Sequence, residues 1–288
     1  MEKIQSKEVL IKKANGEIEA FSDIKLRRSL KNAGANLETQ DEIVYDIQNL
    51  IYDGVTTKKI YDWAFSILDR KQQLSSIRYK LKQAMLELGP TGFPFEQIIS
   101  IIFARQAYNT QVGQIVEGYC VSHEMDVVAT SANHQCLIEC KYSTDQGKRV
   151  SIQTPLYVRS RVEDIIKLRQ KMPEYKDFSF SGWIITNTRF SDDSIKYARC
   201  SGLKLLGWDY PEGNGLKEHL ERENIFPVTF LTNLTIIQKQ HLFEHGIVVC
   251  RQLLNKMEIL ESFHLDKQKM DLLINELNVI ESLSRELL

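Results

Sequence analysis

The chain has 288 residues, 43% of them hydrophobic, and a formal net charge of −1 at neutral pH. This composition excludes fibrous and disordered chains and predicts two or three domains with packed cores. The sequence contains neither a signal-peptide-like apolar stretch nor a run of about 18 apolar residues, so we expect a cytoplasmic protein without a membrane partner. The five cysteines are scattered and form no CxxC pair, which indicates reduced thiols rather than a disulfide framework or a zinc site.

The first 90 residues predict a small domain made of a β-hairpin and helices. Residues 8–22 form two short apolar segments around Ala14-Asn15-Gly16, and these turn residues tolerate the left-handed backbone that a tight hairpin needs. Four segments with apolar residues at helical spacing follow. They span residues 22–34, 39–54, 56–70 and 75–89.

Two stretches of this segment, IKKANGEIEAFSDIKLRRSL and YDGVTTKKI, resemble the ATP-cone, the regulatory nucleotide-binding domain of ribonucleotide reductases and of their transcriptional repressor. The resemblance implies that ATP or dATP binds as a regulatory ligand. It assigns phosphate contacts to Lys13 and Lys25, ribose or base contacts to Glu19, and a position near the base to Thr57. Lys12 could replace Lys13. Lysines near a hairpin and a helix N-terminus form an anion site, which agrees with this assignment.

The alternative to a nucleotide site is an ordinary solvent-exposed, lysine-rich face on a hairpin and its helices. A further basic contact to phosphate would come from Arg78, Lys80 or Lys82, and the sequence leaves this choice open. The chain has no GxxxxGK[ST] motif, which argues against a motor ATPase. The expected role of this domain is therefore regulation rather than hydrolysis.

The pattern changes at Gly89-Pro90-Thr91-Gly92, which marks a domain boundary. From there to residue 212 the sequence predicts helices and strands in the order of an α/β sandwich. The predicted helices span residues 93–108, 161–172 and 191–202, and the predicted strands span residues 114–119, 124–131, 135–143, 181–188 and 203–209.

Charged residues at the end of one predicted strand suggest a catalytic site. Glu139 and Lys141 are two positions apart and therefore point to the same face of their strand. A turn at residues 131–133 would pair this strand with the one that carries Asp126. Two neighbouring carboxylates stay ionised when a cation such as Mg²⁺ bridges them, and a lysine beside them can orient an attacking water. These are the components of a metal-dependent phosphodiester hydrolase.

Residues 93–211 resemble the PD-(D/E)xK nuclease superfamily, and most closely the Mrr-like restriction endonucleases. Asp126 matches the motif aspartate, although Met125 replaces the usual preceding proline, and Glu139-Cys140-Lys141 matches the (D/E)xK element. The resemblance implies a deoxyribonuclease in which Asp126 and Glu139 bind Mg²⁺ or Mn²⁺ and Lys141 positions the water. DNA would be the substrate.

Further parts of the same stretch extend this resemblance. Glu96 lies on the preceding helix, where the family often has a glutamate that completes the site. Gln153 and Tyr157 resemble the QxxxY element of some exonucleases in the superfamily, and WIITNTRFSDDSIKYA resembles the segment after the catalytic strands. His123 either assists at the metal or fixes the strand end or faces solvent. Cys140 is expected to face the core as a small hydrophobe.

The functional interpretation competes with a simpler one. An ExK triplet on a strand is often only a surface ion pair, worth less than about 1 kcal/mol. Residues 141–171 contain eight basic and three acidic residues, which predicts a local basic surface, although a solvated helix face would look similar. Asp126, Glu96 and the downstream segment in the expected order favour the nuclease.

Residues 213–288 predict a helical domain. The stretch LTNLTIIQKQHLFEHGIVVCRQLL resembles a helix-hairpin-helix, with the turn at His245-Gly246-Ile247. Such a turn directs backbone amides at DNA phosphates. This region contains 8 basic and 11 acidic residues, however, so packing or dimerisation is an equal alternative, and we expect a homo-oligomer.

The sequence as a whole predicts an α/β multidomain protein with an ATP-cone at 1–90, an Mrr-like nuclease domain at 91–212 and a helical domain at 213–288. The expected function is Mg²⁺-dependent endonuclease cleavage of DNA, regulated by ATP or dATP. One alternative is a nucleotide-responsive DNA-binding regulator with an inactive nuclease fold. Another is a nucleotide-controlled assembly module that acts on protein partners.

Overall fold

The computed structural model describes residues 9–13, 16–71 and 73–286. The chain divides into two compact units, Met1–Lys82 and Gln83–Leu288. Both helices and a mixed β-sheet are present, as expected for an α/β protein. Within the described ranges, no helix combines the length and the apolar character that crossing a bilayer requires.

The first unit contains the predicted hairpin. Strands β1 (Leu10–Lys12) and β2 (Ile18–Ala20) pair antiparallel, with Ile11 opposite Glu19. Gly16 has a φ of +88°, a conformation that glycine adopts without a steric penalty. The predicted turn residues Ala14 and Asn15 lie outside the described residues.

Four helices follow the hairpin, as the apolar spacing predicts. They are α1 (Asp23–Asn32), α2 (Leu37–Leu50), α3 (Thr57–Lys71) and α4 (Gln73–Leu86). Ser22 and Asn36 cap α1 and α2 by accepting a backbone N–H from the first turn of each helix. The core of this unit includes Leu30, Ile43 and Leu68, each without exposed surface.

The second unit begins with an α/β region. Its elements are α5 (Phe93–Arg105), β3 (Asn109–Glu117), β4 (Ser122–Thr130), β5 (His134–Lys141), β6 (Arg149–Val150), α6 (Gln153–Arg169), β7 (Ser179–Thr186), β8 (Arg189–Phe190), α7 (Asp192–Ser201) and β9 (Lys204–Leu206). The main sheet has the order β3-β4-β5-β7-β9. Its first three strands are antiparallel, and β5, β7 and β9 are parallel. The predicted hairpin between β4 and β5 is confirmed.

Helix α6 belongs to the crossover between the parallel strands β5 and β7. Parallel neighbours need such a connection, and the helix covers one face of the sheet. The packing is close: a Cβ added to Gly182 of β7 would lie 3.0 Å from a methyl group of Val162 on α6. The side chains of β5 that face α6 are therefore placed under this helix.

The observed start of α6 differs from the sequence-based expectation. We expected the helix at residues 161–172, but it begins at Gln153 and ends at Arg169. The early start includes Pro155, which a helix tolerates within its first turn because the amides there have no intrahelical acceptor. This difference of eight residues decides which side chains reach the candidate site.

The remainder of the second unit is helical, as predicted. Its helices are α8 (Leu216–Arg222), α9 (Ile236–Glu244), α10 (Cys250–Leu254) and α11 (Lys267–Glu286). The predicted turn between α9 and α10 is present, with Gly246 at a φ of +70° and Ile247 buried. Helix α11 starts later than the expected residue 260, because Met257–Phe263 forms a 3-10 helix. A domain boundary at residue 212 stays a prediction.

Candidate functional site

The strands β4 and β5 bring Asp126 and the Glu139-Cys140-Lys141 element together. Their ladder ends at the pair Val127 and Ile138, one residue from each functional position. Beyond it, the Cys140 amide donates a hydrogen bond of 2.6 Å to Asp126 Oδ2. Asp126 is thereby anchored next to the glutamate and lysine, although Asp126 and Glu139 are 13 positions apart in the sequence.

Glu139 is the centre of the site and is almost completely buried, with 5% of its side chain exposed. Lys141 Nζ donates to Glu139 Oε1 at 2.5 Å, and the Tyr157 hydroxyl donates to the same oxygen at 2.6 Å. Arg161 Nη1 donates to Oε2 at 2.7 Å. Both oxygens of one buried carboxylate are thus held by two cations and one hydroxyl group.

Two of these partners come from α6, where Tyr157 and Arg161 are one helical turn apart. The sequence-based interpretation used Tyr157 only as part of a motif and counted Arg161 only as a basic residue. The spacing of Gln153, Tyr157 and Arg161 at four-residue intervals was the available signal, but it points to one face only if the helix starts at Gln153. Gln153 itself is exposed and is not among the groups that contact Glu139.

Glu96 lies in the first turn of α5, close enough to the carboxylates of β4 and β5 for their charges to shift its pKa. Burial raises its pKa to about 7, and the negative charges of Asp126, Glu124 and Glu139 add to this effect. Burial and the charge of Glu139 likewise raise the pKa of Asp126 to about 6, against the hydrogen bond from the Cys140 amide. The cluster therefore has an excess of negative charge in a poorly solvated place.

Lys141 remains positively charged in this environment. Burial alone lowers its pKa, but the hydrogen bonds to Glu139 and Tyr157 outweigh burial, so that the net pKa is raised. At neutral pH the ammonium group is a hydrogen-bond donor and a positive charge. It is not a proton acceptor.

The donor chemistry of the cluster fits a magnesium ion. Mg²⁺ is usually held by one or two carboxylates, with water and substrate phosphate as its other ligands. Asp126 and Glu139 provide two carboxylates, and the raised pKa values of Asp126 and Glu96 indicate a cluster that additional positive charge would stabilise. Across residues 9–13, 16–71 and 73–286, no group of three or more His, Cys, Asp or Glu side chains forms a metal-binding arrangement.

His123 has a structural contact. Its Nε2 lies 2.9 Å from Asp164 Oδ2, and Asp164 also accepts hydrogen bonds from the backbone amides of Cys120 and Val121. The hydrogen bond to His123 is the main reason why the pKa of Asp164 is lowered to about 2. Of the roles that the sequence left open for His123, fixing the end of the strand agrees with this contact. Cys140 is buried, as predicted.

The residues assigned to nucleotide binding lie on the hairpin and on the helices that follow it. Lys13 Nζ and Lys25 Nζ both contact Glu19 Oε2, at 3.0 and 2.9 Å. The hydrogen bond to Glu19 raises the pKa of Lys13, and the hydrogen bond from Lys25 lowers the pKa of Glu19. Thr57 is the first residue of α3, which follows the β-bridge between Lys12 and Thr56. The structure brings Lys13, Glu19 and Lys25 into direct contact and places Thr57 next to the bridged residue.

Replacing Glu96 with glutamine is expected to stabilise the protein at pH 8 but not at pH 4. A carboxyl group whose pKa rises from 4.5 to about 7 on folding binds its proton more tightly in the folded state, so stability falls as the pH rises through this window. Glutamine removes this penalty. With a discount for partial exposure, the gain at pH 8 is about 1–3 kcal/mol. Urea unfolding at both pH values measures it, and equal effects at the two pH values would contradict the pKa shift.

Comparison with known proteins places the chain in a family. Residues 226–281 match the family described as AF1548-like, C-terminal. An uncharacterized protein from Archaeoglobus fulgidus is 34% identical over 160 residues, which cover 54% of this chain and 84% of that protein. A crystal structure of AF1548, a protein of unknown function, matches with a TM-score of 0.55 and 29% identity, and covers 67% of this chain and 100% of its own.

These descriptions name neither an ATP-cone nor a restriction endonuclease, so both resemblances stay predictions. The identity and the coverage of the archaeal relative are sufficient to establish homology at the family level. The chain belongs to the AF1548-like family.

Proposed function

We propose that the protein is a Mg²⁺-dependent DNA endonuclease and that ATP or dATP binding to an N-terminal ATP-cone regulates it. The observation that carries the proposal is the meeting of Asp126, in the middle of β4, with Glu139 and Lys141 at the end of the adjacent strand β5, where Glu139 is buried. Exposed ion pairs of lysine and glutamate are common, but a buried carboxylate beside a second carboxylate of raised pKa is costly for a fold. A functional role accounts for that cost.

The proposed chemistry assigns a role to each side chain. Asp126 and Glu139 would hold Mg²⁺, which when bound supplies Lewis acidity and lowers the pKa of water. Lys141 would donate a hydrogen bond to the attacking water or to the developing charge on the phosphate. Glu96, in the first turn of α5 near these carboxylates, would accept a proton from that water.

The local charge supports a DNA substrate despite the net charge of −1. Helix α6 and the residues after it carry exposed basic side chains, including Lys167 and Lys171, whose Nζ atoms each lie 4.0 Å from the ring centroid of Tyr119. Phosphate affinity depends on such local clusters rather than on the overall sum of charges. A partly exposed tyrosine between lysines can also contact bases or sugars.

The nucleotide proposal rests on the lysines of the first unit. Lys13 and Lys25 both contact Glu19, and Lys13 also contacts Glu17 at 3.3 Å. A triphosphate could replace these carboxylates as the partner of both ammonium groups. Nucleotide binding is proposed to change the oligomeric state, with a homo-oligomer as the assembled form, or the access to the nuclease site.

A second candidate function is a nucleotide-responsive DNA-binding regulator with an inactive nuclease fold. The observation that favours it is that Lys141, Tyr157 and Arg161 together hold both oxygens of the Glu139 carboxylate. Two positively charged donors on this carboxylate oppose the binding of a cation to it. The two candidate functions differ in whether a cation binds at Glu139.

Cleavage of supercoiled and linear DNA separates the candidates. The wild-type protein would be assayed with Mg²⁺, Mn²⁺ or EDTA, with and without ATP and dATP, and a Lys141→Gln variant purified in parallel guards against a contaminating nuclease. Metal-dependent cutting by the wild type alone is the expected result. Shifted DNA mobility without cutting under any condition supports the inactive regulator, and nucleotide-dependent mass changes without DNA affinity support an assembly module.

Lys25→Ala is expected to weaken ATP binding about tenfold or more, because a charge-assisted hydrogen bond to phosphate contributes about 1.5–3 kcal/mol. Lys31→Ala is the matched control, since Lys31 is an exposed lysine in the last turn of the same helix. Isothermal titration calorimetry with ATP and dATP measures both. Equal affinities of the wild type and the Lys25 variant would remove Lys25 from the site.

A further inference from the structure

Arg161 forms the closest guanidinium contact in the candidate site, and the proposed chemistry gives it no role. Its Nη1 lies 2.7 Å from Glu139 Oε2, and 23% of its side chain is exposed. The centroid of the Tyr157 ring lies 5.8 Å from the guanidinium carbon, which places the group over an aromatic face as well. Arg161 therefore lies at the boundary between the buried carboxylate and solvent.

The contact with Arg161 uses an oxygen that a cation would need. Lys141 and Tyr157 both donate to Oε1, so Oε2 is the oxygen that Arg161 alone holds among the hydrogen bonds of the described residues. A guanidinium group and a divalent cation are both positive and both bind Oε2, so each weakens the binding of the other. Binding of a cation at Glu139 Oε2 therefore favours the departure of Arg161.

We propose that Arg161 is an exchangeable counter-ion of Glu139, which neutralises this carboxylate before a divalent cation binds and, once displaced, binds a DNA phosphate next to the site. This inference rests on the proposed nuclease function. Arg161 is a positioning residue in this scheme rather than a catalytic one.

Two properties of the side chain suit the exchange. The guanidinium group already has access to solvent, so it can leave Glu139 by side-chain rotation without unfolding of α6. Its planar fork also fits phosphate oxygens as well as carboxylate oxygens. Displacement by the cation would then place a positive group where the DNA backbone approaches.

Removal of the counter-ion is expected to strengthen cation binding, the opposite of what a structural defect would do. Arg161→Gln should bind Mn²⁺ at least about fivefold more tightly than the wild type at pH 8, because one competing positive charge is absent. The same variant should bind a short DNA duplex about tenfold more weakly in the presence of Ca²⁺, since a charged contact to phosphate is lost.

Arg159→Gln is the matched control. Arg159 lies on the same helix and pairs with Glu163 at 2.6 Å on the surface, so its loss removes the same charge without touching Glu139. This control variant should keep the Mn²⁺ affinity of the wild type. Thermal melts establish that each variant is folded, and Arg161→Met replaces the glutamine variant if that one unfolds.

Mn²⁺ titration, followed by calorimetry or by the loss of the free-ion EPR signal, decides the proposal without any measurement of activity. Tighter Mn²⁺ binding together with weaker DNA binding in the Arg161 variant supports it. Unchanged or weaker Mn²⁺ binding overturns the counter-ion role, and unchanged DNA affinity overturns the phosphate contact. If the wild type does not bind Mn²⁺ at all, the proposed nuclease function fails together with this inference.

Discussion

Lys141→Gln is expected to lower DNA cleavage by about 10²–10³-fold in kcat/KM while the protein stays folded. The reason is the charge of Lys141: its pKa is raised by Glu139 and Tyr157, so the side chain provides a positive hydrogen-bond donor where charge develops during hydrolysis. Glutamine can still donate a hydrogen bond to Glu139 but carries no charge. Initial rates of plasmid nicking over a range of DNA concentrations measure the effect.

The control for this variant is Lys196→Gln. Lys196 lies on α7, is 78% exposed and has only a long contact of 3.8 Å with Asp193, so its replacement should leave the rate unchanged. A Lys141 variant that cleaves as fast as the wild type would remove Lys141 from the mechanism. A loss of DNA binding equal to the loss of rate would instead make it a binding residue.

Glu139→Ala is expected to destabilise the second unit by about 2–4 kcal/mol, in addition to abolishing cleavage. Alanine removes the acceptor of three donors and leaves Lys141 and Arg161 without their buried partner. Both cations are partly exposed, and the substitution also removes the repulsion between the carboxylates of Glu139 and Asp126. The expected loss of stability is therefore at or below the loss for breaking a fully buried ion pair. Because Glu139→Ala changes both stability and cleavage, Glu139→Gln, which keeps the size of the side chain, is the better variant for the cleavage assay.

Urea unfolding followed by tryptophan fluorescence tests this loss of stability, since Trp183 and Trp208 lie in the second unit. Glu163→Ala is the surface control, because its pair with Arg159 is exposed and should contribute less than about 0.5 kcal/mol. A Glu139→Ala variant as stable as this control would show that the buried carboxylate is not stabilised by its three donors.

Most of the fold could be predicted from local sequence signals. The hairpin of the first unit, its four helices, the antiparallel pair β4 and β5, and the turn at Gly246 all follow from apolar periodicity and from glycine positions. Three elements did not follow in the same way. Helix α6 starts eight residues before the expected position, and the short strands β6 and β8 have too few residues to show a period.

In the candidate site, too, local sequence signals predict some of the contacts and not others. The two-residue spacing of Glu139 and Lys141 places them on one face of β5, and this holds for any strand because side chains alternate. The predicted hairpin placed Asp126 at a strand position next to Glu139 and Lys141, but the hydrogen bond from the Cys140 amide to Asp126 was not predicted. The contacts of Glu139 with Tyr157 and Arg161 were not predicted either, since they depend on a crossover helix that lies over the sheet.

The sequence by itself determined which charged groups share a strand face, where the hairpins turn, and that the lysines of the first unit lie near a helix start. Only the tertiary structure decided that Glu139 is buried, that Arg161 holds its second oxygen, and that Glu96 and Asp126 have raised pKa values. The physical reason is that alternation and periodicity are properties of neighbouring residues. Desolvation and Coulomb interactions depend on distances between groups that are up to 43 residues apart in the chain, as for Glu96 and Glu139.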